Sequence, residues 1–265
     1  MINWLLGIDF IRKKLLFHLK HKYFHELGHS IPIESGYWAD LLEKDSYDSF
    51  SEIFIKQEYL KFIPDEPISR ILDIGAHYGY FSLWLQSKHP EIELSSLMIE
   101  PSPSCARSLR NLVNQEKLDG RFSYLQKAIG VSNFESSPFY DRSHMAGSRY
   151  SSSESEKAIL VQNLTEAELV KNLEPPYDLI KCDIEGSEWE FLNDFQNLIT
   201  ASKYLLLEWH SWHEGGGGLS QIEKFMHSIN FRIFRSSEPI SAIGREGEVG
   251  LILFKKQGKH LKLNE

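Results

Sequence analysis

Cysteine is scarce: the 265-residue chain carries two, Cys105 and Cys182, in different segments. Two isolated cysteines cannot build the disulfide framework of a small secreted domain, and a reducing compartment, the cytoplasm, is the expectation. Long apolar runs are missing as well. No stretch approaches the ~20 residues that a membrane-crossing helix needs. The apolar run from Ile2 to Ile11 is interrupted by Asp9 and followed by Arg12, Lys13 and Lys14. A secretory signal has the reverse order, so none is expected. Positive charge is also in short supply, the net charge being −8. It is unevenly spread: residues 1–27 hold five Lys or Arg against Asp9 and Glu26, and the remainder holds 24 against 35. An acidic body is a poor partner for a phosphate backbone, which argues against nucleic acid as the main substrate.

What is present fits one large α/β domain, or one domain with an extension. A chain of this length buries roughly three-quarters of its unfolded surface, so neither a disulfide nor a metal is required for stability. We divide it into an N-terminal helical extension (1–64), a main domain (65–258) and a tail (259–265). Trp4, Ile8, Ile11, Leu15 and Leu19 have helical spacing, predicting an amphipathic helix over 2–27. Such a helix could dock on the main domain, self-associate, or lie peripherally on a membrane. Residues 28–64 read as irregular chain followed by a short helix near "SEIFIKQEYLKF".

From Ser69 onward, β-rich runs such as "RILDI", "LSSLMIE", "FSYLQ", "YDLIKCD" and "YLLLEW" alternate with amphipathic segments such as "YFSLWLQS" and "SCARSLRNLV". That alternation predicts parallel strands joined by crossover helices, hence a doubly wound sheet. "FRIFR" and "GLILFK" lie close together and predict an antiparallel pair at the end. Ser-rich residues 134–157 read as a mobile loop or hairpin. "HEGGGG" (213–218) reads as either a lid hinge or a plain linker.

"ILDIGAHYGYF" (71–81) is a strand ending in Asp73, a turn containing Gly75, Ala76, His77 and Gly79, and a helix start. Glycine lets the backbone approach a ligand closely, and the helix start supplies free N–H groups. A second strand ends in Glu100, where a carboxylate can accept hydrogen bonds from both ribose hydroxyls of an adenosine group. A dinucleotide site would have a glycine where His77 stands, to admit a pyrophosphate. A carboxylate disfavours a pyrophosphate and favours a cationic sulfonium. The cofactor expected is therefore S-adenosylmethionine, with an NAD-linked oxidoreductase as the alternative.

The chain resembles the FkbM family of class I S-adenosylmethionine-dependent methyltransferases. The resemblance is carried by "DSFSEIFIKQEY" (48–59), "LDIGAHYGYFS" (72–82), "IEPSP" (99–103), "KAIG" (127–130) and "DLIKCDIEGSEWEFL" (178–192), in the family's order. The family usually has Asn at the place of His77. The resemblance implies a Rossmann-like, seven-stranded methyltransferase sheet with a reversed final strand. It also implies that Asp73, Gly75 and Gly79 line the methionine end of the cofactor, that Glu100 holds the ribose, and that Ala128 sits beside the adenine. Members are mostly taken to methylate hydroxyl groups of sugars and of polyketide or peptide natural products, so a small-molecule or glycan acceptor is expected.

Methyl transfer to oxygen needs the reactants held in line and a proton taken from the hydroxyl. Asp183, at the end of the fourth strand and expected in contact with the cofactor, is the first candidate to orient the acceptor. Glu185 is a candidate helper in the following turn. His210, ending the fifth strand, has the ordinary pKa of a base working near neutral pH; a histidine hydrogen-bonded at the sheet edge is the other reading. Ser187 and Glu190 match a helix capping box, and Glu188 is divided between that helix start and the site. Asp183, Glu185, Glu208 and His210 could together ligate a hard cation. No closed motif such as His-Glu-x-x-His is present, however, so no metal is expected. A domain that binds cofactor or partner without turnover is the remaining alternative.

Overall fold

The computed structural model describes residues 30–129, 134–142, 148, 157–211, 218–241 and 247–258, with 14, 15, 17, 18 and 22 near the N-terminus. A hairpin of β1 (Ser30–Pro32) and β2 (Trp38–Asp40) precedes α1 (Ser46–Phe50), which runs into a wider π-type turn over Ser51–Lys56. There follow β3 (Arg70–Ile74), α2 (Tyr80–Lys88), β4 (Ser95–Ile99), α3 (Ala106–Val113) and β5 (Phe122–Leu125). β6 (Ala128–Ile129), β7 (Ser136–Phe139) and β8 (Ile159–Leu164) form a separate small sheet in the order β6-β8-β7. The chain continues through α4 (Glu166–Asn172), β9 (Tyr177–Cys182), α5 (Glu188–Asp194), α6 (Gln196–Thr200) and β10 (Ser202–His210). It finishes with α7 (Leu219–Ser228), β11 (Phe231–Ser236), β12 (Ile240–Ser241) and β13 (Glu248–Lys256).

The main sheet has the order β11-β13-β10-β9-β3-β4-β5, with β12 also pairing β13. β5, β4, β3, β9 and β10 are parallel, and β13 lies antiparallel between β10 and β11. This is the doubly wound sheet with a reversed final strand that the sequence predicts. Alternate residues along each strand serve opposite faces. Ile71, Leu179, Leu206 and Leu253 join one core cluster, and Leu72, Ile180, Leu205 and Ile252 join the other. Burial on both faces explains why these strands read as continuous apolar runs.

The N-terminal part is less separate than expected. Phe50 and Phe54 pack on Tyr80 of α2, at 5.9 and 6.0 Å between ring centres, within the same cluster as Ile71 and Trp84. α2 is thereby covered on the side away from the sheet, so all of Tyr80–Ser87 is buried and the helix is not amphipathic. Leu15, on the expected apolar stripe, is exposed, whereas Phe17 stacks on Phe50 at 5.8 Å. Most of 2–27, the tail 259–265, His213 and the glycines 215–217 lie outside the described residues. Of the expected loop or hairpin over 134–157, residues 136–139 form β7, antiparallel to β8. No helix among the described residues is long and apolar enough to cross a membrane.

Candidate active site

In a doubly wound sheet ligands bind beyond the carboxyl ends of the strands, where the chain reverses its winding direction. Here that point lies between β3 and β9, and a cavity of about 450 Å³ opens there. The volume lies in the range of small-molecule sites.

The turn after β3 forms one wall. Gly75 and Ala76 donate their N–H groups to Ile99 O at 2.9 and 3.0 Å, tying the turn to the end of β4. Gly75 has φ +72°, and a Cβ there would stand 1.6 Å from Asp183 O. Only glycine lets the ends of β3 and β9 approach this closely. Gly79 also has positive φ, but its surroundings are Leu112, Met98 and Leu109, and it does not line the cavity. Asp73 is fully buried, its Oδ2 accepting from Ser82 Oγ at 2.7 Å, while its Oδ1 lies 3.7 Å from Lys181 Nζ and makes no hydrogen bond among the described residues. Neither Asp73 nor Gly79 is part of the cavity lining.

Gly75, Ala76, His77, Glu100 and Ala128 do line the cavity. Glu100 accepts the His77 N–H on Oε2 and the Ser102 N–H on Oε1, both at 2.8 Å. Burial outweighs these two hydrogen bonds and raises its carboxyl to about 7. Burial, with Lys181 adding, holds His77 down at about 3, so its ring is neutral. Its Nδ1 is buried and makes no hydrogen bond among the described residues. Ala128 and Ile129 of β6 are apolar and buried. Asp141 accepts from Ser102 Oγ at 2.7 Å beside them.

β9, β10 and the N-terminal segment line the cavity beside this turn. Lys181 is 4% exposed, donates to Gly75 O at 2.7 Å and lies 3.4 Å from Asp183 Oδ2. Burial works against its charge, but Asp183 and Asp73 outweigh it and push the ammonium up to about 12. Tyr59 reaches in from the N-terminal segment and donates to Glu208 Oε2 at 3.0 Å, with Asp183 Oδ2 at 3.4 Å. Sequence reasoning assigned no role to Lys181 or Tyr59. A lysine among the apolar residues of a buried strand was the available signal for the first; for Tyr59 the signal was its place at the end of the family stretch "DSFSEIFIKQEY".

The turn after β9 differs from the expected capping box. Ser187 occupies the N-cap of α5 without a side-chain cap, and its buried Oγ has no hydrogen-bond partner among the described residues. Glu188 turns back instead. Its Oε1 accepts from Ile184 N at 3.2 Å and Gly186 N at 3.1 Å, and it contacts His210 Nδ1 at 2.9 Å. Glu188, read as divided between the helix start and the site, thus closes the turn and holds His210. Glu185 pays for the tight turn with a left-handed φ of +54°, and its carboxylate lines the cavity. His210 Nε2 faces Glu208 at 3.9 Å and Glu185 at 4.0 Å. Burial opposes its charge, but Glu188 and Glu185 outweigh it and raise the ring to about 10. Its Nδ1 contact with Glu188 is the hydrogen-bonded arrangement at the sheet edge that was the other reading of His210. Glu208 is itself pushed up, to about 8, by burial and by Asp183.

A parallel sheet with a reversed strand, a glycine turn packed on the neighbouring strand and an acid at the next strand end together define a Rossmann-like S-adenosylmethionine-dependent methyltransferase. A model of the FkbM methyltransferase domain matches residues 73–233, more than half of the chain, and the protein belongs to that family. Among solved structures, it is similar to the FkbM methyltransferase of Methylobacillus flagellatus at 14% identity and a TM-score of 0.50. That match covers 94% of this chain and 60% of the other. It is also similar to precorrin-6y C5,15-methyltransferase of Geobacter metallireducens, at 11% identity and a TM-score of 0.44, covering 77% and 88% of the two chains. At such identities the likeness concerns the fold. No curated protein matches.

The cofactor is S-adenosylmethionine, and the residues present fit it. Gly75, Ala76 and His77 of the turn line the cavity together with Glu100. The buried Nδ1 of His77 awaits a hydrogen-bonding group.

Proposed function

We propose that the protein is an O-methyltransferase acting on a hydroxyl of a sugar, glycan or natural-product small molecule. The observation that carries this reading is the meeting of Asp183, Glu208, Lys181 and Tyr59 at the ends of β9 and β10, in the cavity that Glu100 also lines. When bound, S-adenosylmethionine supplies a methyl group on a positively charged sulfur. Glu100 and the Gly75–His77 turn hold the adenosyl part, with Ala128 and Ile129 beside the base. Asp183 orients the acceptor hydroxyl, and Glu208 stands beside it to take the proton. Lys181 fixes Asp183 while Tyr59 fixes both carboxylates, so neither must reorganise during transfer. Glu185 lies at the rim of the same acceptor side.

The experiment is transfer of a labelled methyl group from S-adenosylmethionine to a panel of hydroxylated sugars, polyols and phenols, with an RNA and a protein extract as controls. Label on a hydroxylated small molecule is expected. Asp183→Asn is expected to lower turnover roughly 10²-fold with S-adenosylmethionine affinity kept. Label confined to RNA or protein would overturn the acceptor assignment. Binding of NAD in place of S-adenosylmethionine would contradict the site, and a wild-type rate in Asp183→Asn would remove Asp183 from the chemistry.

A further inference from the structure

The corner between the β9 turn and the end of β10 has a composition that methyl transfer does not by itself require. One ligand atom each of Asp183, Glu185 and His210 lie within 4.8 Å of one another. A six-coordinate ion with bonds of roughly 2.1–2.4 Å spaces its donors about 3 to 4.8 Å apart. The two carboxylates and one imidazole therefore already have the separations of a shared ion. Glu208 Oε1 lies a further 3.9 Å from His210 Nε2.

The orientation of the imidazole points the same way. Its Nδ1 is tied to Glu188 Oε1 at 2.9 Å, and that oxygen is held in turn by the backbone N–H groups of Ile184 and Gly186. Metal-ligating histidines are held in this manner, a carboxylate on one ring nitrogen aiming the other at the ion. His210 is 4% exposed and Glu188 is 3% exposed, so the pair is pinned inside the protein. The turn that carries Glu185 holds that residue at a left-handed φ of +54°, with Gly186 following at +106°, and closes around Glu188. A second observation is independent of the charged groups. Ser187 lines the same cavity, is 1% exposed, and its Oγ makes no hydrogen bond among the described residues. An ion with its water shell would provide that hydroxyl with a partner.

We infer that this corner binds one divalent cation that prefers oxygen with a single imidazole, such as Mn²⁺, on Asp183, Glu185 and His210. Glu188 is a positioning residue. Three protein ligands leave open coordination positions facing the cavity, where adjacent oxygens of a polyhydroxylated acceptor can bind. The role toward the acceptor rests on the O-methyl transfer reading; the cation site itself does not.

The test separates the two. Mn²⁺ alone is titrated into the cofactor-free protein and followed by the electron paramagnetic resonance signal of free Mn²⁺. One ion per chain, with micromolar affinity, is expected. Glu185→Gln, at the cavity rim, is expected to weaken binding at least tenfold. Glu188→Gln, which only loosens the hold on Nδ1, is expected to weaken it 10–100-fold. Circular dichroism shows whether each variant is folded. Should Glu188→Gln fail to fold, Glu185→Gln alone carries the test. Absence of Mn²⁺ binding below millimolar concentration, or equal binding by wild type and folded Glu185→Gln, overturns the site. Methyl transfer that continues in a chelator while Mn²⁺ binds as expected would leave the cation site standing and remove its role toward the acceptor.

Discussion

Replacing Glu100 by Gln tests the proposed contact of its carboxylate with the cofactor ribose. The carboxylate is 6% exposed, and each oxygen is engaged by one backbone N–H, from His77 and Ser102. Glutamine keeps the length but presents one acceptor and one donor, so one of these N–H groups meets a donor and one ribose hydroxyl loses its acceptor. A hydrogen bond to a charged group contributes about 1.5–3 kcal/mol, and a buried unsatisfied donor costs about 1–3 kcal/mol. The expected weakening of S-adenosylmethionine binding is therefore roughly 10²-fold, read by isothermal titration calorimetry at pH 8. A pH series adds a second arm. Burial holds the carboxyl near 7, against opposing contributions from Lys181 and a reinforcing one from Asp141. Ribose hydroxyls donate to the ionised form, so wild-type affinity is expected to fall as pH drops through about 7, by up to about tenfold per unit. The Gln variant should show no such slope. Stability of the cofactor-free protein should run the other way. A carboxyl raised above its unfolded pKa contributes stability fully present below about 4.5 and lost as pH rises through about 7, roughly 3 kcal/mol in all. The Gln variant should lack this loss. Wild-type-like binding by Glu100→Gln, or a wild-type affinity that does not change between about pH 5.5 and 8, would refute the reasoning.

Three further outcomes follow from residues that line the cavity. Gly75→Ala places a Cβ 1.6 Å from Asp183 O at a φ of +72°; chemical denaturation should show a loss of roughly 3 kcal/mol or more, and an unchanged midpoint would contradict the close approach. Lys181→Met leaves Asp73 and Asp183 without their shared ammonium, so the denaturation free energy should drop by about 3–5 kcal/mol at neutral pH. Tyr59→Phe removes the hydroxyl that links Glu208 and Asp183. Its thermal midpoint should move little while kcat falls and S-adenosylmethionine affinity is kept; a loss of affinity instead would place Tyr59 against the cofactor.

Much of the sheet was legible because its strands are buried on both faces, and such strands announce themselves as short apolar runs between turn signals. The cofactor turn was legible for a different reason: Gly75 answers a backbone contact that no other residue permits, so geometry constrains the letter directly. The helix start at Ser187 misled because the Ser-x-x-Glu spacing was right and the geometry was not. The capping box that does form is Thr165 with Glu168 at the start of α4, in a stretch not read as helix. Reading α2 as amphipathic failed because its outer face is covered by Phe50 and Phe54, residues about 30 positions earlier in the chain. A periodicity argument considers one segment at a time and cannot detect such a cover.

The sequence alone determined the winding of the sheet, the site of the cofactor turn and the family, because each rests on residues adjacent in the chain. The tertiary structure decided what the carboxylates do. Asp73 and Asp183 end parallel, neighbouring strands, yet one is fully buried while the other lines the cavity, with Lys181 between them. Glu188 and His210 lie 22 positions apart and become a single pinned pair. Such assignments depend on burial and on distances between elements, which set the charge each group carries, and no local pattern of letters encodes either.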